Sequence, residues 1–403
     1  MKKTLWISPY VPYDKVPHAG GKTHNYYIKY FQKSNLFDIH LITLAQRCQR
    51  EDIDLDRYGI ANQVVFEDGS WVKNFFRKLY NVNSVFNDNH YLCQTILSYQ
   101  FQQLKNMVVK YSKECTPEVV IMQWTGTAFL LPIVKKLFPN AYTVIIEEDV
   151  TFLGYERRYK ETKDINKRKK QKKLYEKLKM CELQLLEDCS LVVVNNEKDC
   201  QLLRENGIAS EKIYVATPYY EDYSDVKREK IVPKVIFLGV MSRNENHDAA
   251  MWMIRNVMTQ LQDTDIKLEI IGSNPKEELK QCVSEKVCVR GYVEDIHKDF
   301  SECLCMAVPL RLGAGIKVKI LEGMSAGIPV LTNSVGIEGI PAKADVEYCY
   351  CESSEEYVTM IRRLYESEVE CYEIGDAAKR FMKNTYNIDK RLDGLMERIQ
   401  KES

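Results

Sequence analysis

Residues 308 to 340, VPLRLGAGIKVKILEGMSAGIPVLTNSVGIEGI, hold the densest set of groups able to do chemistry. The stretch reads as strand, glycine loop, helix and strand. Gly313 and Gly315 permit close backbone approach. The helix predicted to start near Ile316 or Lys317 presents unpaired N–H groups and the positive end of its dipole. Such a terminus binds phosphate oxygens, and Lys317 and Lys319 add point charges beside it. Glu322 follows about two turns beyond Gly315, where a carboxylate accepts paired hydrogen bonds from vicinal hydroxyls such as those of a ribose. Phosphate at the tip and ribose further along describe a nucleoside diphosphate. An ordinary helix with surface lysines behind a glycine turn has the same spacing, so the segment by itself leaves both readings standing.

A second glycine turn, VPHAGGKTHN at residues 16 to 25, contains Gly-Gly-Lys-Thr. A P-loop needs a glycine five positions before the glycine of Gly-Lys-Thr. Counting back from Gly21 reaches Val16, so the spacing fails. No strand-borne aspartate is placed to hold magnesium, and a P-loop phosphotransferase is the weakest reading.

Both turns need strands and helices to hold them. Short apolar runs alternate with helical patterns along the whole chain, which predicts parallel sheets with crossover helices. In the first half the strand candidates are TLWIS, DIHLITL, QVVFED, VVIMQW, TVIIEED, LVVVNN and KIYVAT. In the second half they are KVIFLG, KLEIIG, VCVRGYV, CLCMAVPL, IPVLTN and VEYCYC. The polar segment PYYEDYSDVKREKIVP separates the halves. The expected organisation is a domain over 1–217, a linker over 218–233, a second domain over 234–375, and a C-terminal helix over 376–403 packing back on the first domain. Each half reads as a doubly wound α/β domain whose ligands bind beyond the carboxyl ends of its strands. Two such domains facing each other would enclose a cleft.

The bulk properties exclude several classes. At 403 residues the chain suits two domains of roughly 150–200 residues. Its 57 basic and 57 acidic residues cancel, so no overall field points to nucleic acid. No apolar run reaches the roughly 18 residues of a spanning helix, and prolines and tyrosines interrupt the N-terminal stretch MKKTLWISPYVPY. The expected location is the cytoplasm. The 13 cysteines are scattered and read as free buried thiols. Cys303/Cys305 and Cys349/Cys351 lack the Cys-x-x-Cys knuckle of zinc sites, and no metal is expected. Residues 157–179, RRYKETKDINKRKKQKKLYEKLK, are heavily basic. Leu174, Leu178, Cys181 and Leu185 form a helical stripe there. The segment is either a long helix with a solvated lysine face or a surface attracted to anionic lipid at the inner face of the plasma membrane, at about 1 kcal/mol per basic residue. The stretch WVKNFFRKLY at 71–80 could join that surface, but its aromatics read as core.

At LEGMSAGIPVLTNSVGIEGI the sequence resembles the retaining glycosyltransferases of the GT-B class, within the large family 4 (glycosyl transferases group 1). Members carry two spaced acidic residues, then a small-residue helix end and a Gly-x-Pro-Val strand. Glu322 supplies the second acid, and Ala314 replaces the first, which in the family helps hold the donor sugar. IFLGVMSRNENHDAAMWMI is similar to the opening of the family's C-terminal domain, with Asn246, Asp248 and Ala249 fitting the pattern. Arg243 there is either a phosphate contact or a surface arginine. EIIGSN and VCVRGYVEDIHKDF match the next strands, where the family contacts the nucleotide base around Gly291, Tyr292 and Val293.

The resemblance implies a fold of two doubly wound Rossmann-like domains and transfer of a sugar from a nucleotide-diphosphate donor to a hydroxyl acceptor with the anomeric configuration kept. Donor contacts fall on Gly20, Gly21, Arg243, Asn246, Tyr292, Val293, Gly315, Ile316, Lys317, Lys319 and Glu322. In VIIEEDVTFLGYERR, Glu148 and Asp149 stand where relatives show His-Asp or His-Asn. Either one orients the acceptor hydroxyl, or one caps a helix while the other is solvated. His24 follows the glycine turn, near the acceptor or only at the surface. No metal or cofactor is implied beyond the nucleotide sugar itself. The acceptor is a glycan, a lipid-linked carrier or another hydroxyl compound, and bacterial surface polysaccharide biosynthesis is the expected setting. Two other classes compete: a GT-B-like nucleotide-sugar epimerase, which would turn over donor without acceptor, and a degenerate non-catalytic protein that binds nucleotide sugars without transfer.

Overall fold

The structure, a computed structural model, describes residues 1–16, 18–67, 96–312 and 315–403. The stretch 71–80 and the Gly313-Ala314 pair lie outside the described residues. Contacts divide the chain into Met1–Tyr219 with Ile388–Ser403, and Tyr220–Asn387.

The first unit is built on strands β1 (Lys2–Ser8), β2 (Phe37–Gln46), β3 (Ala61–Glu67), β4 (Val119–Gln123), β5 (Tyr142–Glu147), β6 (Leu191–Val194) and β7 (Ile213–Val215). They form one parallel sheet in the order β3-β2-β1-β4-β5-β6-β7. The second unit has β8 (Val232–Leu238), β9 (Lys267–Ile271), β10 (Val287–Gly291), β11 (Cys303–Val308), β12 (Val330–Thr332) and β13 (Cys349–Tyr350). Its sheet is also parallel, ordered β10-β9-β8-β11-β12-β13. Each of the apolar runs read as a strand forms one. β4, β6 and β11 are buried along their whole length. Unbroken apolar strands fit this arrangement because helices cover both faces of a parallel sheet.

In the first unit, one face of the sheet buries Leu5, Ile7, Val120 and Met122 against the helices Ser98–Tyr111 and Ile165–Asp188. The predicted stripe on the second helix packs there, with Leu178 and Leu185 buried and Leu174 and Cys181 partly so. The other face buries Trp6, Ile39, Ile121 and Val144 against the helices Ala19–Lys33 and Ile388–Glu402. Leu392, Leu395, Met396 and Ile399 form the inner face of that last helix. Polar bonds fix its position: Tyr30 Oη donates to Asp393 at 2.9 Å, Tyr214 Oη to the Arg391 carbonyl at 2.6 Å, and Lys2 Nζ to the Ser403 carbonyl at 2.6 Å. Residues 376–403 are therefore not a single helix. The helix Glu368–Thr385 belongs to the second unit, and the chain breaks at Tyr386-Asn387 before Ile388–Glu402 joins the first.

Cys303, Cys305, Cys349 and Cys351 are all buried in the second core. Burial raises each thiol well above its usual range, so these groups stay as apolar SH. Strand order reverses between β1 and β4 in the first sheet and between β8 and β11 in the second. Crevices for ligands open at such switch points, beyond the carboxyl ends of the strands.

Candidate donor and acceptor sites

In the second unit, β8 ends at Leu238 and runs into Gly239. A Cβ on Gly239 would lie 2.7 Å from Asn246 Cγ and 2.8 Å from Lys319 Nζ. The glycine thus leaves room for two polar side chains from distant segments. Asn246 sits in the first turn of the helix Asn244–Trp252 and is buried. Its Nδ2 donates to the Val240 carbonyl at 3.0 Å, and its Oδ1 accepts from Lys319 Nζ at 2.7 Å. Lys319 Nζ also lies 4.9 Å from the Phe237 ring centre. Burial of its ammonium, with the Arg243 guanidinium nearby, lowers the pKa of Lys319 to about 7. Among the described residues no carboxylate hydrogen-bonds this amine, which leaves it suited to an incoming anion.

The helix beginning at Val318 carries Lys319 on its second residue and has Lys317 as N-cap, with no side-chain cap. Gly315 takes a φ of 69°, a left-handed conformation that glycine adopts without strain, and its carbonyl accepts from Lys317 Nζ at 2.5 Å. Ile316 packs at the edge of the second core. Glu322 lies on the same helix and acts electrostatically on Lys319. Arg243 caps the helix Asn244–Trp252 and pairs with Glu245 at 2.5 Å on the surface, its side chain 63% exposed. At the end of β10, Tyr292 is exposed and Val293 packs against the core. The structure therefore brings Asn246, Lys317, Lys319 and Glu322 to one switch point, with Arg243 at its rim and Tyr292 at the carboxyl end of the edge strand.

The sequence gives no sign of a cavity of about 300 Å³ in the second unit lined by Trp252, Pro309, Arg311, Asn333, Val335 and Glu352. Asn333 ties its walls together, donating to the Leu310 carbonyl at 2.8 Å and accepting from Gly336 N at 2.9 Å. A lone asparagine after Val-Leu-Thr gives no signal of that role.

In the first unit, the helix Ala19–Lys33 follows β1. His18 is its N-cap, with Nδ1 accepting from Gly21 N at 2.9 Å. The two glycines have definite neighbours. A Cβ on Gly20 would stand 3.3 Å from the Trp124 indole, and one on Gly21 would run into Val16 and lie 2.7 Å from the His18 ring. Side chains of the same unit take up the space a larger residue would need. Thr23, the threonine of Gly-Lys-Thr, donates to the Ala19 carbonyl at 3.2 Å and accepts from Tyr219 N at 3.1 Å. Its hydroxyl is committed inside the fold, which removes the last support for a P-loop.

His24 is fully buried rather than at the surface. It lies between Trp6 and Trp124, with ring centres 5.8 and 5.5 Å away, and its Nδ1 is 3.4 Å from Ser8 Oγ. Burial lowers its pKa to about 3, so the ring is neutral. It packs edge-on against Trp124 within the core of the first unit.

Trp124 follows β4 with φ 66° and ψ 148°. A left-handed φ on a bulky residue costs on the order of 1–3 kcal/mol and persists only where its surroundings impose it. The residues on either side do so. Gln123 Nε2 donates to Glu148 Oε1 at 2.7 Å, and Thr125 Oγ1 donates to Glu147. Glu148 also accepts from Asn195 Nδ2 at 3.0 Å. Burial pushes the carboxyls of Glu147 and Glu148 up to about 8, against hydrogen bonds from Thr125 and from Asn195 that favour the charged form. Glu147 is closed to solvent, whereas Glu148 is partly exposed and Asp149 exposed. Behind them Glu182 accepts from Thr151 N at 2.8 Å and Phe152 N at 2.9 Å, capping the helix Thr151–Glu161, and burial raises its pKa as well. Of the two carboxyls raised to about 8, that of Glu148 belongs to the residue that is only partly buried.

The architecture defines a class. Two parallel doubly wound units, one after the other, make the GT-B fold. Several solved GT-B structures superpose on the chain. Sucrose-phosphate synthase from Thermosynechococcus elongatus aligns with TM-score 0.73 and 12% identity over all of both chains. HepE of Anabaena, solved with UDP, aligns at 0.68 and 13% over all of both chains. A Staphylococcus aureus (S. aureus) TarM variant, solved with fondaparinux, alpha-GlcNAc-glycerol and UDP, aligns at 0.66 and 11% over 99% of this chain and 100% of that one. At these identities the likeness concerns the fold. Residues 232–367, which contain the Asn246–Lys319–Glu322 constellation, match the family described as glycosyl transferases group 1. No curated protein matches the sequence significantly.

Proposed function

We propose that this protein is a retaining glycosyltransferase that moves a sugar from a nucleotide-diphosphate donor to a hydroxyl acceptor. The observation that carries the reading is Lys319: a half-buried lysine whose ammonium is held by Asn246 beside a glycine strand end and the start of a helix, inside the segment that matches a glycosyltransferase family. In this reading Lys319, Lys317 and Arg243 stabilise charge developing on the leaving diphosphate, together with the amide groups that open the helix at Val318. Glu322 binds the ribose hydroxyls, and Tyr292 and Val293 lie against the base. UDP is the nucleotide to test first, because HepE and TarM were solved with it.

The first unit holds the acceptor. Glu148 orients the hydroxyl that attacks the sugar, with Asp149 beside it. Transfer with retention can proceed on one face of the sugar, the leaving phosphate taking the acceptor proton, so no separate nucleophile or metal is required. Gly20 and Gly21 keep the nearby backbone tight. Lys167, Arg168, Lys169, Lys170, Lys172 and Lys173 are all exposed on the helix Ile165–Asp188. They suit contact with anionic lipid, and so a peripheral role at the membrane in surface-glycan synthesis. No helix among the described residues is long and apolar enough to cross a membrane.

The test is transfer itself. Purified protein is incubated with UDP-sugars and a panel of glycan, alkyl-phosphate and small hydroxyl acceptors, and products are read by NMR. An α-linked product from an α-linked donor, with UDP released in equal amount, supports the proposal. A β-linked product overturns retention, and donor turnover in the absence of every acceptor points instead to an epimerase.

A further inference from the structure

Beyond the end of β4 the first unit carries a group of aromatic rings that the roles above leave largely unused. Trp124 stands at the switch point, partly exposed. Tyr10, just past the end of β1, is 42% exposed, and its ring lies 5.5 Å from that of Trp124 at 86°. On its other side Tyr10 meets His18 at 5.9 Å and 75°. His24 supports Trp124 at 5.5 Å and 79°, and Trp6 supports His24. Gly20 lacks a side chain where one would crowd the indole. Two near-perpendicular rings, backed by buried ones, form a corner that is rigid and partly open.

The groups around this corner are polar. Glu148 is bound by Gln123, the residue before Trp124, and by Asn195. Gln123 and Asn195 are buried, and the Oε1 of the first and Oδ1 of the second have no partner among the described residues. An aromatic surface beside the end of β5, where Glu148 is partly exposed, matches one kind of molecule well. A pyranose has an apolar face of C–H bonds and an equatorial rim of hydroxyls. An alkyl chain would instead need apolar groups along its length.

We infer that the Trp124–Tyr10 corner is a subsite for a sugar ring of the acceptor, which lies on the aromatic faces and turns its hydroxyl rim toward Glu148. The inference rests on the glycosyltransferase reading and narrows it, since it makes the acceptor a carbohydrate rather than a bare lipid or a small alcohol. The strained backbone at Trp124 then has a use: it directs the indole to the carboxyl end of the sheet.

The test is saturation-transfer difference NMR on the full-length protein. The probes are methyl glucopyranoside, methyl galactopyranoside and methyl N-acetylglucosaminide, with glycerol and decyl phosphate as non-ring and lipid-like comparisons. At least one pyranoside is expected to show saturated ring C–H protons. Its titrated affinity should fall about tenfold in Trp124→Ala and in Tyr10→Ala, and be largely kept in Trp124→Phe. If Trp124→Ala does not fold, the exposed Tyr10 carries the comparison. Equal affinity in the alanine variants, saturation of decyl phosphate alone, or no pyranoside signal at all overturns the subsite. UDP-induced thermal shifts on the same samples separate the two claims. A shift without pyranoside binding overturns only the subsite, whereas pyranoside binding at the corner without any nucleotide response overturns the transferase reading.

Discussion

Lys319 and Asn246, 73 positions apart, meet at 2.7 Å between Nζ and Oδ1, where the absent side chain of Gly239 leaves them room. The amide oxygen orients the ammonium without neutralising it. Burial, with Arg243 close by, holds Lys319 at about 7, so near neutral pH only part of it is charged before an anion arrives.

Binding of UDP should therefore draw in a proton. The diphosphate favours the charged ammonium and raises its pKa. Above about pH 7 the free protein has lost that proton and must regain it. Calorimetry in two buffers of different ionisation enthalpy at pH 8 is expected to show proton uptake, and UDP affinity should weaken as pH rises from 7 to 9. Affinity and proton count unaffected by pH would place the diphosphate elsewhere.

Glu322 should distinguish nucleoside from phosphate. A hydrogen bond to a charged group is worth about 1.5–3 kcal/mol, so Glu322→Ala should weaken UDP at least tenfold. Inorganic pyrophosphate, which has no ribose, should bind Glu322→Ala and the native protein alike. Equal losses for both ligands would show that Glu322 acts on the site's charge rather than on the ribose.

The first unit should show opposing pH dependences of stability. Glu147 and Glu148 are raised from 4.5 to about 8 by burial, and Glu182 is raised too. Their contribution is fully present below about pH 4.5 and is lost as pH rises toward 8. His24, lowered from 6.5 to about 3, contributes above pH 6.5 and loses that contribution as pH falls. The melting temperature of the Glu147→Gln/Glu148→Gln double variant should decline less between pH 5 and 8 than that of the native protein. Parallel curves would mean that these carboxyls ionise freely in the fold.

Gly21 offers a test of packing in the first unit. A methyl there runs into Val16 and His18, and overpacking of this kind typically costs about 1–3 kcal/mol. Gly21→Ala should unfold at lower denaturant concentration while UDP affinity in the second unit stays unchanged. A variant as stable as the native protein would show that the turn relaxes freely.

Much of this was legible in the sequence because parallel strands covered on both faces read as unbroken apolar runs, and LVVV or VVIMQ allow little else. The strand, turn and helix around Gly315 and Lys319 were legible because a glycine loop between an apolar run and a helical pattern carries its geometry in its order. The first unit was less so. Gly20 and Gly21 read as places of close backbone approach, and a side chain there would meet Trp124, Val16 and His18, which the sequence does not announce. His24 read as a surface or acceptor group and is a core ring. Nothing in Gln-Trp-Thr announces a left-handed tryptophan, because the flanking Gln123 and Thr125 are held by the carboxyls of Glu148 and Glu147, at and just past the end of the next strand. The break at Tyr386-Asn387 escaped notice as well, since both flanking segments are amphipathic helices and only their packing assigns them to different units.

The central claim is that Lys319 and Asn246 form the grip on a nucleotide diphosphate, and UDP binding to three proteins tests it most directly. Isothermal titration at pH 7 should give saturable binding to the native chain. Lys319→Ala should bind at least tenfold more weakly, since it loses a contact to a charged group, and Asn246→Ala should lie between the two. Native-like affinity in Lys319→Ala, or no binding of UDP or any other nucleotide diphosphate to the native protein, would contradict the account.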